Sequence, residues 1–374
     1  MKKLQIAFIS IFFAITTVFF VGYFIIPDKE FSDDENRELS QLPTFSINNL
    51  IKNKYTTKFE TYIADQFMFR SFWMSTKTNI QTALMYKDIN GTYIGKDDYF
   101  IQKLPKNDKV SDTFINNIET LSKKYPNMNL KTAIIPGAAT VLSDKLPSTA
   151  NPFDEVAVFD KFKTTFGDNN VDVNSALSKR KDEYIYFKTD HHWTELGAYY
   201  GYEEIAKSLG ITPLPLSDFE DVMGSDNFYG TMYSKGCFSF ATPDTVEMFR
   251  YKKPLDIKVT IPETKTVRDD LFFTENLEKK DKYTVFLGEN RKLITIDTNV
   301  NNGKTLTILK DSYANALIPF LAPHYEKINV VDLRFFTDKL SSITNTNENQ
   351  DLLILYSTLS VISDKNMADA FLKI

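Results

Sequence analysis

The chain has 374 residues, 43% hydrophobic and 25% charged, which excludes wholesale disorder and suits one large domain or two smaller ones. A formal net charge of −5, with no block of lysine or arginine, excludes the basic footprint of a nucleic-acid binder. The single cysteine, Cys237, excludes an internal disulfide and zinc sites built on paired thiolates.

In chain order, the N-terminus comes first. Lys2 and Lys3 precede Leu4 to Ile26, an uncharged stretch dominated by Ile, Phe, Val and Ala. As a helix it spans roughly 34 Å, against a hydrocarbon core of about 30 Å. The leading lysines favour a cytoplasmic N-terminus. A cleaved signal would show a shorter apolar region and a small-x-small site, which Ile25-Ile26-Pro27-Asp28 lacks. The expectation is a transmembrane signal anchor over residues 1–26, a charged extracellular stalk over 27–45, and a catalytic domain over 46–374.

Helical patterning runs from Ser46 to about Tyr86, and Asn90-Gly91 marks a turn beside the β-rich Thr92–Ile94 and Tyr99–Ile101. A helix is expected over Ser111–Lys124 and a buried strand at Ala133–Ile135. Tyr184–Phe187 leads into Thr189-Asp190-His191-His192-Trp193, and a helix follows from about Thr194 to Leu209, with Gly210 as its stop. Residues 212–300 form an irregular, β-rich insertion. Alternation then resumes with Leu306–Leu309, a helix over 313–322, Ile328–Leu333 and Leu352–Tyr356. Strands alternating with helices imply a parallel sheet covered on both faces, with sites at the carboxyl ends of its strands.

Only three histidines exist, and two are adjacent, His191 and His192, directly after Asp190. In extended backbone, residues two apart point to the same side, so Asp190 can accept a ring N–H from His192 and fix its tautomer. His191 would then point the other way, toward a substrate groove or the core. The nucleophile is expected at the end of another strand, where Leu306–Lys310 leads through Asp311 to Ser312 at the start of the next helix. There its own N–H and the helix dipole would favour an oxyanion. His192 and Ser312 lie 120 residues apart, so only the fold can join them. Taken singly, Asp-Ser after a strand is commonly a helix cap, and Asp-x-His is commonly a structural pair. A metal held by Asp190, His191 and His192 would need a further ligand that no nearby motif offers. His324, at a helix end, is expected to be structural.

Asp190-His191-His192-Trp193 with Lys310-Asp311-Ser312-Tyr313 resembles the DHHW proteins of Gram-positive bacteria, which are similar to the alginate O-acetyltransferases of the SGNH hydrolase superfamily. Glu35-Asn36-Arg37, Asp65–Arg70, Tyr93–Lys96, Phe228-Tyr229-Gly230-Thr231 and Val331–Arg334 extend the resemblance over nearly the whole chain from about residue 31. It implies a flavodoxin-type three-layer α/β/α domain in permuted order, with the Asp-x-His element before the serine. It also implies a triad of Asp190, His192 and Ser312. By the same resemblance Arg334 and Tyr356 match oxyanion or substrate residues; Asn290 is a further tentative member, and His191 is kept beside them. Common SGNH hydrolases carry Gly-Asp-Ser at the nucleophile, whereas Lys310 stands in place of that glycine.

The expected function is therefore O-acetyl transfer to an extracellular polysaccharide, with a multi-spanning membrane O-acyltransferase as acetyl donor. No cofactor is expected, since acetyl-CoA stays in the cytoplasm and no Gly-rich phosphate loop joins a strand to a helix. An acetylesterase with the same triad and a non-catalytic cell-surface assembly protein are the alternatives.

Overall fold

A computed structural model describes residues 2–348 and 350–374. They form two compact units, one of residues up to 86 with 234–240, the other of 87–233 with 241–374. In the first unit α1 (Lys2–Ile25) is the one helix among the described residues long and apolar enough to cross a membrane. The helices α2 (Lys54–Asp65) and α3 (Arg70–Ala83) follow. The charged stretch after α1 carries a short antiparallel pair, Phe31–Ser32 with Arg37–Glu38. From it Arg37 reaches Asp65 at the end of α2 through two hydrogen bonds of 2.9 and 2.6 Å.

The second unit is built on one eight-stranded sheet. Its strands are β1 (Asn129–Ile135), β2 (Asn170–Val171), β3 (Ile257–Ile261), β4 (Thr266–Arg268), β5 (Leu293–Thr298), β6 (Thr305–Lys310), β7 (Lys327–Val331) and β8 (Asp351–Ser357). Their spatial order is β4-β3-β5-β7-β6-β8-β1-β2. The five strands from β7 to β2 run parallel, while β5, β3 and β4 extend that edge antiparallel. All three antiparallel strands (β3, β4 and β5) come from residues 212–300; that region also forms a separate long hairpin, Phe219–Phe228 with Asp244–Tyr251.

The sheet is covered on both sides, as its unbroken apolar strands require. Along β8, Leu353 and Leu355 enter one core while Leu352, Ile354 and Tyr356 enter the other. The second core is closed by α4 (Ser111–Lys124) and α5 (Val156–Phe166). On α4 the residues Phe114, Ile115, Ile118 and Leu121 recur at helical spacing, and Asp108 caps the start by accepting from Ser111 N at 2.9 Å. The first core is closed by α6 (Val173–Ser178) and α7 (Glu195–Ser208). The helix expected over 313–322 is broken into a 3₁₀ turn at Ser312–Ala316, a short helix at Ile318–Leu321 and a second 3₁₀ turn. Pro319 and Pro323 explain this, because each lacks the N–H that a continuing helix would use.

Candidate active site

Ser312 follows β6, which lies between β7 and β8 in the parallel part of the sheet. The turn that presents it is held by Asp311. That carboxylate accepts from Tyr313 N at 3.1 Å, and from Ser357 N, Ser357 Oγ and Ser360 Oγ at 2.8, 2.7 and 2.7 Å. Four hydrogen bonds to one side chain tie the end of β6 to the end of β8 and hold the Ser312 turn at the sheet edge. Because Ser312 begins a 3₁₀ turn, the helix dipole expected behind it is reduced to a few peptide units.

The Asp-His-His-Trp segment is bent, not extended. Asp190 Oδ1 accepts from His192 N at 3.0 Å, an Asx-type turn that brings both side chains to one side. His192 Nδ1 lies 2.6 Å from the same oxygen, and Nε2 lies 2.7 Å from Ser312 Oγ. A carboxylate only accepts, so Nδ1 carries the proton and Nε2 accepts from the serine hydroxyl. Burial raises the Asp190 carboxyl. The two neighbouring imidazoles, the His192 hydrogen bond and Thr231 N outweigh it and hold Asp190 well below the ordinary carboxylate range.

The loop carrying this pair is fastened from several directions. Asp244 accepts from Lys188 N and Thr189 N, both at 2.7 Å, and from Thr189 Oγ1 and Tyr184 Oη, both at 2.5 Å. Trp193 Nε1 donates to Tyr313 O at 2.9 Å, and Tyr313 Oη donates to His191 O. These two bonds join residues 120 and 122 positions apart in the chain. Thr231 N donates to Asp190 Oδ2 at 2.7 Å. Gly230 lies so close that a Cβ there would sit 2.3 Å from Asp190 Cβ, so only glycine fits.

Sequence reasoning missed Tyr283. Its ring lies parallel to His192, 3.8 Å between centroids at 5°, and its hydroxyl donates to Ser312 O at 3.1 Å. Burial pushes its phenol well above the ordinary range, so the hydroxyl stays a donor. Tyr283 sits in the irregular stretch before β5, where no periodicity marks it out. Asp244 was missed too, and Tyr313, quoted with the Ser312 motif, was given no role, because both roles exist only in three dimensions.

The other candidate residues take different places. His191 does not point away. Its ring lies 3.9 Å from that of His192, with Nδ1 3.5 Å from Asp190 Oδ1. Asn290 is joined to the strand end before Ser312, because its Oδ1 accepts from Lys310 Nζ at 2.5 Å; Lys310 also donates to Asn315 Oδ1 at 2.8 Å. Lys310 is thus a buried ammonium two residues before Ser312, and burial pulls it down to about 8. Arg334 follows β7 and is held by Asp332 through Nε and Nη2, at 2.9 and 2.5 Å. Tyr356 is not brought to the triad. Its ring packs against Phe114 and Phe371 in the second core, because its parity along β8 turns it to that face. Asp190, His191 and His192 offer ligand atoms within 4.8 Å of one another, but both ring nitrogens of His192 and both oxygens of Asp190 are already hydrogen-bonded.

The family model described as DHHW protein matches residues 107–331, which include Asp190, His192 and Ser312. A DHHW family protein from Eubacterium siraeum is similar at 24% identity and TM-score 0.67, over 76% of this chain and 95% of that one. Bacillus cereus PatB1, in a structure with a sulfonyl adduct, is similar at 20% identity and TM-score 0.59, over 73% of this chain and 97% of that one. At these identities the likeness is one of fold. Among curated proteins none matches the chain.

Proposed function

The chain belongs to the DHHW family, and from that premise we propose that it is a membrane-anchored, extracellular O-acetyltransferase acting on an exported polysaccharide through an acyl-enzyme. The observation that carries the chemistry is the continuous hydrogen-bonded chain Asp190–His192–Ser312. In the proposed SGNH-type domain, with the Asp-x-His element preceding the serine, Ser312 Oγ attacks the acetyl carbonyl of the donor while His192 Nε2 takes its proton. The imidazolium, steadied by Asp190, returns that proton to the departing donor alcohol and leaves acetyl-Ser312. A sugar hydroxyl then gives its proton to Nε2 and attacks the acyl carbon; the bond to Ser312 Oγ breaks, Oγ takes the proton back from Nε2, and the acetylated sugar leaves. The Ser312 N–H, Asn290, held by Lys310, and the neighbouring Arg334 and His191 are the oxyanion and substrate candidates; Tyr356 takes a packing role.

Residues 1–26 serve as the anchor, and the donor is a multi-spanning acyltransferase in the same membrane. Tethering raises the effective concentration of the two proteins for each other. The test supplies the purified chain with an acetyl ester, with and without soluble oligosaccharides, and follows product masses. Ser312-dependent acetylated sugar supports transfer. Acetate released at one rate whatever glycan is offered contradicts it and points to an esterase.

A further inference from the structure

The helix α1 buries none of its residues, yet it is not solitary. The Phe19 ring stacks on Phe67 at 5.3 Å and 6°, and lies 6.0 Å from Trp73. Three residues on, a Cβ at Gly22 would stand 2.9 Å from Met68 Sδ, so the glycine admits the close approach of that side chain. The segment between α2 and α3, together with the first turn of α3, is thus laid along the last turns of α1.

These contacts set a depth. Phe19 precedes the end of α1 at Ile25 by six residues, about 9 Å along a helix axis. If α1 spans the hydrocarbon core of about 30 Å, Phe67 and Trp73 lie beside apolar chains, well beneath the headgroups. The side chains around them fit that medium. Phe69 is 67% exposed and Phe72 61%, and neither packs into a protein core. Phe69 also holds a φ of +60°, a left-handed conformation that a bulky residue rarely adopts, and this turns its ring outward at the start of α3. Four of the nearby charges cancel locally. Arg37 is paired with Asp65 and Glu35, and Arg70 with Glu35, two cations with two carboxylates. Such pairing is what a charged cluster beside lipid requires.

We propose that Phe67–Trp73 is a second membrane contact, inserted into the leaflet at the C-terminal end of α1, with lipid acyl chains as its partner. The inference rests on reading α1 as the anchor. The contact would hold the first unit against the bilayer at a fixed height, so that the anchor is no loose tether.

Trp73 provides the probe, because the only other tryptophan, Trp193, is fully buried in the second unit. The full chain and its Trp73→Phe variant are reconstituted into phosphatidylcholine vesicles with or without bromines midway along the acyl chains. The expected result is co-flotation of both proteins and a bromolipid-dependent loss of emission in the parent that is absent from the variant. Iodide in the aqueous phase should leave the Trp73 emission intact. Co-flotation with equal emission in brominated and ordinary lipid would overturn this proposal while leaving the anchor standing. A chain that does not float with the vesicles would overturn the anchor reading, and the second contact with it.

Discussion

Replacing Tyr283 separates two roles that its side chain combines. Its ring lies 3.8 Å from the His192 ring and nearly parallel to it, and its hydroxyl reaches Ser312 O. When His192 takes the serine proton it becomes a desolvated cation facing an aromatic surface, an attraction worth about 2 kcal/mol. Removing the ring in Tyr283→Leu should therefore lower kcat/KM by roughly 30-fold. Tyr283→Phe keeps the ring and loses one hydrogen bond, about 1 kcal/mol of stability, and its rate should stay within several-fold of the parent. The assay is acyl transfer from an activated acetyl ester, run at a temperature where thermal denaturation shows all three proteins folded. A Leu variant with the parent's rate, or a Phe variant as impaired as Leu, would refute the stacking argument.

Gly230→Ala should displace Asp190, since the new methyl would meet its Cβ at 2.3 Å. The expected cost is about 1–3 kcal/mol in denaturant unfolding, together with a loss of activity far larger than a distant Gly→Ala change would cause. Burial pulls the Lys310 ammonium from its ordinary 10.5 down to about 8. The unfolded chain therefore holds more protons between those values, and stability should rise as pH climbs from about 8 to 10.5, by up to about 3 kcal/mol. Lys310→Met should abolish that rise in urea unfolding measured across the window; a rise of the same size in the variant would contradict the buried-ammonium account.

The alternating strands and helices were legible because each carries its own period, and Ser111–Lys124 coincides with its expected helix. The Asp190–His192 pairing was legible because histidines are scarce and an aspartate stands two residues before His192. Yet the pairing arises differently from the parity argument, through an Asx-type turn that also brings His191 alongside its neighbour. Parity does decide Tyr356, whose place on β8 sends it to the opposite core. Pro319 and Pro323, which break the helix after Ser312, stand in the sequence itself. The irregular region hid most: β3 and β5 join the main sheet from within it, and Tyr283 reaches His192 from it, by pairings and packing that no local pattern encodes.

The central claim is that Ser312 carries the acyl group, and peptide mass spectrometry after brief exposure to an activated acetyl ester tests it directly. The account predicts one acetyl adduct on the peptide containing Ser312. It should be absent in Ser312→Ala and in His192→Ala, and the residual turnover of the double variant should lie little below that of either because the groups act as a unit. An adduct on another residue, or full turnover by Ser312→Ala, would contradict it.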